Sequence, residues 1–441
     1  MKRGPKLITL YMGLLLLPLA IAGVFNPHSY QTLLYEIGNG FALTGIVILL
    51  LQPLLASRFA WIERPFGLDI VIRFHKYMAI IAACLLLAHP LLLTAARGRI
   101  GLLVGVGVPF YIWIGRIALV LVLLSVLISL FQERLGLRFE QWRLGHGLSA
   151  SLIITLPVIH SWLAGEDLLT VPALRWYWIV LCGASISTFA YHRFIRPKTL
   201  DRHRYNVIDV HKETDDVWTV KLSPPERGTR YDYLPGQFQF LTFHRGRGLP
   251  VEEHHWTISS SPTELNYVSS TIKALGDFTS TIGETRPGDT ATVHAPFGRF
   301  SYVLHPEDRD IVFVVGGIGI TPVMSMLRHM RDTRWGGSAL LIYANPNQHR
   351  IVFREELEEM ATDSHPRLRI VHVLSRPEEG WSGETGHVDR EKIERFCDGR
   401  CAERSFYVCG PPGLLKATIE NLGALGVPDA RIRIEIFSFL S

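Results

Sequence analysis

Cysteine is sparse in this 441-residue sequence, and acid is sparse over its first 200 residues. The five cysteines are Cys84, Cys182, Cys397, Cys401 and Cys409. They form no disulfide framework, and the Cys397/Cys401 pair lacks the second pair that a metal site of that kind requires, so a reducing cytosolic setting suits them. Only 7 of the 40 acidic residues fall in the first 200 positions, against 17 of the 45 basic ones. That basic excess flanks apolar runs and does not interleave with aromatics into a patch, which argues against nucleic acid as a partner. No EF-hand loop and no added regulatory segment is visible, and nothing in the sequence calls for an obligate protein partner.

What the sequence does have is long apolar runs, near residues 7–25, 38–57, 74–94, 110–131, 147–163 and 173–192. Each is of spanning length or slightly short of it, which predicts six transmembrane helices in a lipid bilayer. The first follows Lys2, Arg3 and Lys6 as a signal peptide would, but no cleavage site succeeds it, so a retained helix is expected. The N-terminus, the 58–76 and 134–143 loops and the exit at Arg193, Arg196 and Lys198 hold thirteen basic residues; the other side has Arg97, Arg99, Arg116 and Arg175. Both ends of the membrane part are therefore expected on the cytosolic side of a cytoplasmic (plasma) membrane.

Two of these runs carry paired histidines. His75 and His89 are fourteen residues apart, and so are His146 and His160. Fourteen helical steps of about 100° fall about 40° short of four turns, so both imidazoles of a pair share a helix face, roughly 21 Å apart along the axis. Two such helices side by side present two imidazole couples at two depths, the ligand set of two stacked b-type haems. Spans three and five both run outward, which puts His75 and His146 near the inner face and His89 and His160 near the outer one. Zinc is disfavoured, because ligands split across about 21 Å cannot close one tetrahedral site. Two readings stay open for Arg116: pairing with a propionate of the outer haem, or snorkelling outward. The Gly-rich piece Gly101–Pro109 reads as an outer loop folded over the bundle.

Past Pro197 the pattern changes to short strands with Gly and Pro turns. YNVIDVHKETDDVWTVKLSP and LPGQFQFLTF read as strands of a small antiparallel barrel. In HHWTISSSP, Trp256 can pack on a flavin, while the Thr257, Ser259 and Ser260 hydroxyls can bind its chain and phosphates. The GDFT turn offers the amides of Gly276, Asp277 and Phe278 and the Thr279 hydroxyl to a pyrophosphate if it opens a helix. The last third is α/β. In VVGGIGITP, Gly316, Gly317 and Gly319 allow a dinucleotide to approach the backbone at a helix start that carries Thr321 and Pro322. SALLIYANP and SFYVCGPPGLL supply further strand-to-loop units. The expected architecture is multi-domain: a six-helix transmembrane bundle (1–200), an antiparallel β-barrel FAD domain (201–305) and an α/β Rossmann-like nucleotide domain (306–441).

The order HHWT (254–257), GDFT (276–279), GGIGITP (316–322) and CGPP (409–412) resembles that of the ferredoxin–NADP reductase superfamily. Joined to two helices with paired histidines, the whole resembles the ferric reductase and NADPH oxidase superfamily of transmembrane flavocytochromes, over nearly all 441 residues. The resemblance implies FAD, a nicotinamide nucleotide (NADPH or NADH) and two b haems. It implies that His254, Trp256 and Thr257 contact FAD and that Cys409, with Gly410 and Pro411, lies near the nicotinamide. An aromatic of the C-terminal EIFSFLS would shield the flavin ring, Phe437 first and Phe439 second. The chain departs from many relatives at His255, where they have proline, and at Pro346, where they have a basic residue; the nucleotide preference stays open.

The function so implied is transmembrane electron transfer from cytosolic NAD(P)H to an outer acceptor. Oxygen giving superoxide is preferred over a ferric chelate, since no acidic iron-binding cluster is evident near Glu166 and Asp167. The rivals are a haem-binding membrane anchor or sensor acting with a partner, and a quinone-linked or partner-donating redox subunit.

Overall fold

The computed structural model describes residues 3–25, 32–225 and 228–436; Phe437 and Phe439, the two aromatics expected over the flavin, lie outside these residues. The chain divides into two compact units, Met1–Arg196 and Pro197–Ser441.

The first unit is helical. Its long helices are α1 (Arg3–Phe25), α2 (Leu33–Ala56), α4 (Leu68–Arg97), α6 (Phe110–Phe131), α7 (Phe139–Ala164) and α9 (Pro172–Ala190), joined by the short helices α3 (Ala60–Phe66), α5 (Gly101–Val104) and α8 (Glu166–Thr170). Among the described residues, α1, α2, α4, α6 and α7 are long and apolar enough to cross a membrane. The expected count of six is thus met by five helices on length and apolarity. The sixth apolar run does form a helix, α9, but Arg175, Gly183, Ser185, Ser187 and Thr188 dilute its hydropathy. It continues through a π-helical turn, Tyr191–Ile195, into α10 (Arg196–Asp201).

Helices α4 and α7 outrun the apolar stretches that reveal them. Both start in polar turns tied by ion pairs, Asp69 with Arg73 at 2.9 Å and Glu140 with Arg143 at 2.7 Å. Apolar length reports the bilayer, whereas helix length is set by backbone hydrogen bonding and continues into water. Helix α2 packs chiefly on α4, and α6 on α7. Glycines permit the first contact: a Cβ on Gly38 would lie 2.5 Å from Leu93, and one on Gly45 would lie 2.8 Å from Leu86. This is close packing through small residues, as expected where lipid removes the hydrophobic drive between helices. The core joins Val47 and Ile48 of α2, Ala82 of α4, Val122 of α6 and Trp178 of α9. Outward faces stay apolar, with Leu16, Leu124, Leu152 and Val180 exposed.

In the second unit, β1 (Tyr205–Thr214), β2 (Val217–Ser223), β3 (Phe238–His244), β4 (Glu253–Thr257), β5 (Val268–Lys273) and β6 (Thr290–Phe297) form an antiparallel sheet in the order β4-β3-β6-β1-β2-β5. Just past β4, the Ser259 amide donates to the Ser269 carbonyl of β5 at 2.8 Å, so the two edge strands meet and the sheet closes into a barrel. Closure removes the exposed edges.

The remainder is a parallel sheet of β7 (Asp310–Gly316), β8 (Ser338–Asn345), β9 (Arg367–Leu374), β10 (Glu384–Thr385), β11 (Ser405–Cys409) and β12 (Ile432–Glu435) in the order β10-β9-β8-β7-β11-β12. Helices α11 (Ile320–Asp332) and α12 (Arg354–Thr362) bury Met324, Leu327 and Leu357 on one face; α13 (Arg390–Phe396) and α14 (Pro412–Ala424) bury Ile393 and Leu415 on the other. From β7 the chain winds outward through β8 to β10, then returns to lay β11 on β7's other side. The switch point between β7 and β11 is where an open α/β sheet forms its ligand crevice.

Candidate functional site

In the helical unit the structure pairs the four histidines across helices. His75 of α4 and His146 of α7 stand with ring centroids 6.5 Å apart and planes at 76°. His89 and His160 lie fourteen residues further along the same two helices. The Nδ1 nitrogens look away from the pairs toward neighbouring helices. Nδ1 of His89 donates to the Gly38 carbonyl at 2.9 Å, and that of His160 to the Tyr111 carbonyl at 2.7 Å. Nδ1 of His146 meets the Ser125 hydroxyl at 3.3 Å. His75 Nδ1 is buried beside the Gln52 main chain with no partner in hydrogen-bonding geometry.

An imidazole whose Nδ1 is taken by a neighbouring backbone or hydroxyl has Nε2 left as its donor atom, the usual support for a metal-ligating histidine. A 6.5 Å centroid separation accommodates two imidazole–metal bonds of about 2 Å plus the ring radii. Among the described residues no three His, Cys, Asp or Glu side chains group as a metal cluster, so each couple offers two imidazole donors. The donor set therefore fits a haem iron held from both sides. Space is shaped for the rings. A Cβ on Gly115 of α6 would come within 2.6 Å of His160, and Trp142 stacks on His146 at 5.2 Å while donating to the Ser129 hydroxyl at 3.1 Å.

In the barrel, strand alternation sends His254 and Trp256 of β4 to one face. There they meet Phe278 of the GDFT turn at 4.4 and 5.8 Å between ring centroids. Beneath Phe278 lies Arg245, almost wholly buried and bonded to the Thr281 carbonyl and hydroxyl at 2.8 and 2.9 Å. Glu252 holds Nε2 of His254 at 2.9 Å. His255 goes to the opposite face, with Phe238 and Phe240. Several hydroxyls expected to face a ligand are engaged by the protein. Ser259 bonds Ser269 and Thr271, Ser260 bonds Tyr233, and the Thr257 carbonyl accepts from Ser270. The GDFT turn opens a six-residue 3-10 helix, and the Thr279 hydroxyl accepts from the amides of Leu275 and Gly276, both at 2.9 Å, closing its own loop. Asp277 is exposed at the tip.

At the switch point the two glycine loops touch. A Cβ on Gly319 would lie 2.5 Å from the Cys409 carbonyl, and one on Gly316 would lie 2.9 Å from Pro411. Gly317 adopts φ +53°, and its carbonyl accepts from the Tyr343 hydroxyl at 3.1 Å. Thr321 and Pro322 are buried in the first turn of α11, and Pro411 caps α14 beside Gly410. Cys409 is fully buried, and burial pushes its thiol well above the usual range, with Glu435 adding to the effect. It is a neutral thiol at physiological pH and no nucleophile.

Residues 41–157 match the family described as the ferric reductase like transmembrane component, and residues 313–420 match the oxidoreductase NAD-binding domain. The two occur on one chain, and the first spans His75, His89 and His146. The chain belongs to the ferric reductase and NADPH oxidase superfamily. It is a transmembrane NAD(P)H-dependent oxidoreductase. It is similar to the glycine betaine monooxygenase reductase subunit of Pseudomonas aeruginosa, 30% identical over 253 residues that cover 55% of this chain and 68% of that protein. NADH–cytochrome b5 reductase 1 of Arabidopsis thaliana is 37% identical over 145 residues, 32% of this chain, so the chain spans about half (51%) of that relative's length. The FAD/NAD-binding domain of nitric oxide dioxygenase from Vibrio cholerae aligns at a TM-score of 0.47 and 22% identity, over 53% of this chain and 97% of that one.

Sequence reasoning missed the supports of the paired histidines. Trp142 was legible, because it precedes His146 by four residues and so shares its face. Gly115, Tyr111, Ser125 and Gly38 were not, since they act from other helices, and neither were Glu252 and Arg245 in the barrel.

Proposed function

We propose that this chain moves electrons from cytosolic NAD(P)H, through FAD and two b haems, to oxygen on the outer side of the plasma membrane, releasing superoxide. When bound, FAD supplies the change from hydride to single-electron transfer and the haems supply single-electron carriage. His75 with His146 would hold the inner haem, and His89 with His160 the outer. His254, Trp256, Thr257, Ser259 and the turn Gly276, Asp277, Phe278 and Thr279 would hold FAD. Gly316, Gly317, Gly319, Thr321, Pro322, Gly410 and Pro411 would cradle the nucleotide, with Cys409 beside the nicotinamide and Phe437 over the flavin.

The observation that carries this reading is the pairing of imidazoles with their Nδ1 nitrogens turned away. With α9 counted as the sixth span, the distribution of basic residues would put both ends and the flavin module on the cytosolic side. In that orientation each electron leaving a negative interior gains about 2.3 kcal/mol per 100 mV. Oxygen is preferred as acceptor because it needs access only to the outer haem edge, whereas a ferric chelate needs a wider vestibule.

The test is a rapid-mixing spectrum of the purified protein in detergent with FAD. Haem bands are followed as NADPH or NADH is supplied, alongside dismutase-sensitive reduction of cytochrome c. Haem reduction with that signal supports the oxidase and identifies the nucleotide. Haem reduction without it, but with reduction of a ferric chelate, makes the chain a ferric reductase. Absence of haem bands rejects the whole reading.

A further inference from the structure

Arg116 is a cation inside an apolar helix, and ionisable residues so placed are costly and commonly functional. Its guanidinium turns to the main chain of residues 101–105. Nε donates to the Leu102 carbonyl at 3.2 Å, Nη1 to that of Gly105 at 2.7 Å, and Nη2 to those of Gly101 and Leu102, both at 2.9 Å. Its Cζ also stands 4.8 Å from the centroid of the Trp113 ring. These partners are carbonyls and an indole, none of them an anion, so the positive charge is solvated by dipoles but not neutralised. Its planar fork makes four such bonds to three carbonyls in one fixed geometry, which a flexible, compact ammonium does not reproduce.

The same turn of α6 holds the outer imidazole. Tyr111, five residues before Arg116, accepts the His160 Nδ1 proton at 2.7 Å. Gly115, immediately before Arg116, gives up its side-chain space to the His160 ring, which lies 2.6 to 2.9 Å from where a Cβ would stand. One helical turn therefore carries the acceptor for His160, the gap it occupies and an uncompensated cation. Loop 101–105, tied down by that cation, fixes the turn from the other side.

We propose that Arg116 is a positioning residue for the outer imidazole pair, holding the α6 turn against His160 while its fixed charge favours the electron-bearing state of the outer centre. The inference rests on the two-haem reading above. In a medium of low dielectric a positive charge beside a redox centre stabilises the added electron and raises its potential. The inner pair, at the other end of the same helices, should be insensitive.

The test is a redox titration of the full-length protein by haem absorbance, with low-temperature electron paramagnetic resonance of the low-spin signals, in wild type, Arg116→Met and Arg116→Lys. The outer haem is identified as the one missing from His89→Leu. In Arg116→Met the outer haem should move to a lower midpoint potential with its resonance displaced, while the inner haem is unchanged. Arg116→Lys, keeping charge but losing the fork, should retain most of the potential yet still displace the outer resonance. Unchanged potentials and resonances in Arg116→Met would reduce Arg116 to a loop clamp and overturn the proposal. If Arg116→Met fails to assemble, an undisturbed outer resonance in Arg116→Lys overturns it equally. A wild-type protein lacking two haems rejects the functional reading itself, a different outcome from either.

Discussion

The Nδ1 nitrogen of His160 donates to the main-chain oxygen of Tyr111, 49 positions earlier, at 2.7 Å. The bond ties α7 to α6 and orients the ring, leaving Nε2 for a ligand. His89 has the equivalent bond to Gly38 at 2.9 Å. Both acceptors are backbone carbonyls, so these orientations survive any side-chain exchange at Tyr111 that leaves the helix intact. The first prediction concerns the rings themselves. His75→Leu should lower haem content to about half and stop reduction of an outer acceptor, while NAD(P)H oxidation by the flavin module with a soluble dye continues. Haem extraction and dye reduction on the same sample check it; a complete two-haem spectrum in the variant would refute the ligand assignment.

Gly115 gives the second prediction. A methyl there would stand 2.6 Å from the Cε1 atom of His160, closer than real contacts allow. The ring cannot swing aside without breaking its bond to Tyr111, so relief requires the helices to part. Overpacking of this kind costs about 1–3 kcal/mol. Gly115→Ala should therefore weaken or distort the outer haem site selectively, seen as loss or displacement of one of two low-spin haem signals. Gly147→Ala, where a Cβ meets open space, is the control and should leave both signals intact.

How much of this was legible in the sequence follows the range of each signal. The fourteen-residue spacings in α4 and α7 are local, and helix geometry turns them directly into shared faces. The pairing of His75 with His146 is long-range, but it follows once two such helices are set side by side with one orientation. Gly115 and Tyr111 could not be found that way, because they matter only through the register of α6 on α7. In the GDFT turn the motif was visible, yet the Thr279 hydroxyl closes its own loop, a local hydrogen bond that spacing does not reveal. Arg116 conspicuously broke an apolar run, but its partners lie eleven to fifteen residues upstream in an irregular loop. The glycines at 316–319 were legible as a dinucleotide turn, but their contact with residues 409–411 shows only once β11 is laid beside β7.

That contact yields the third prediction. A Cβ on Gly319 would lie 2.5 Å from the Cys409 carbonyl oxygen, which is backbone and cannot rotate away. Gly319→Ala must therefore separate the two loops that line the crevice. With overpacking of about 1–3 kcal/mol directed at the nucleotide site, the apparent KM for NAD(P)H should rise roughly 5- to 100-fold. Flavin content should stay near wild type, since the barrel residues are untouched. Equal loss of flavin and nucleotide affinity would show that the change unfolds the module and does not merely reshape the crevice.

The fourth prediction is a pH dependence in the flavin module. Burial pushes the imidazoles of His329 and His372 below the ordinary value; Arg354 adds to this at His372, while Asp332 and Glu358 pull each partly back. Nδ1 of His329 also lies 2.7 Å from the Tyr302 hydroxyl. Above about pH 6.5 both rings are neutral whether the chain is folded or not, and their contribution is complete. As pH falls through that value the unfolded chain takes up protons first, so stability declines until the depressed folded-state pKa is passed. The temperature of flavin release, followed by fluorescence, should drop between pH 7.5 and 5. In His329→Asn the slope of that drop should be shallower, because one proton-linked group is gone. An unchanged slope would mean that other groups govern the acid limb, and that His329 is solvated as readily in the folded chain as in the unfolded one.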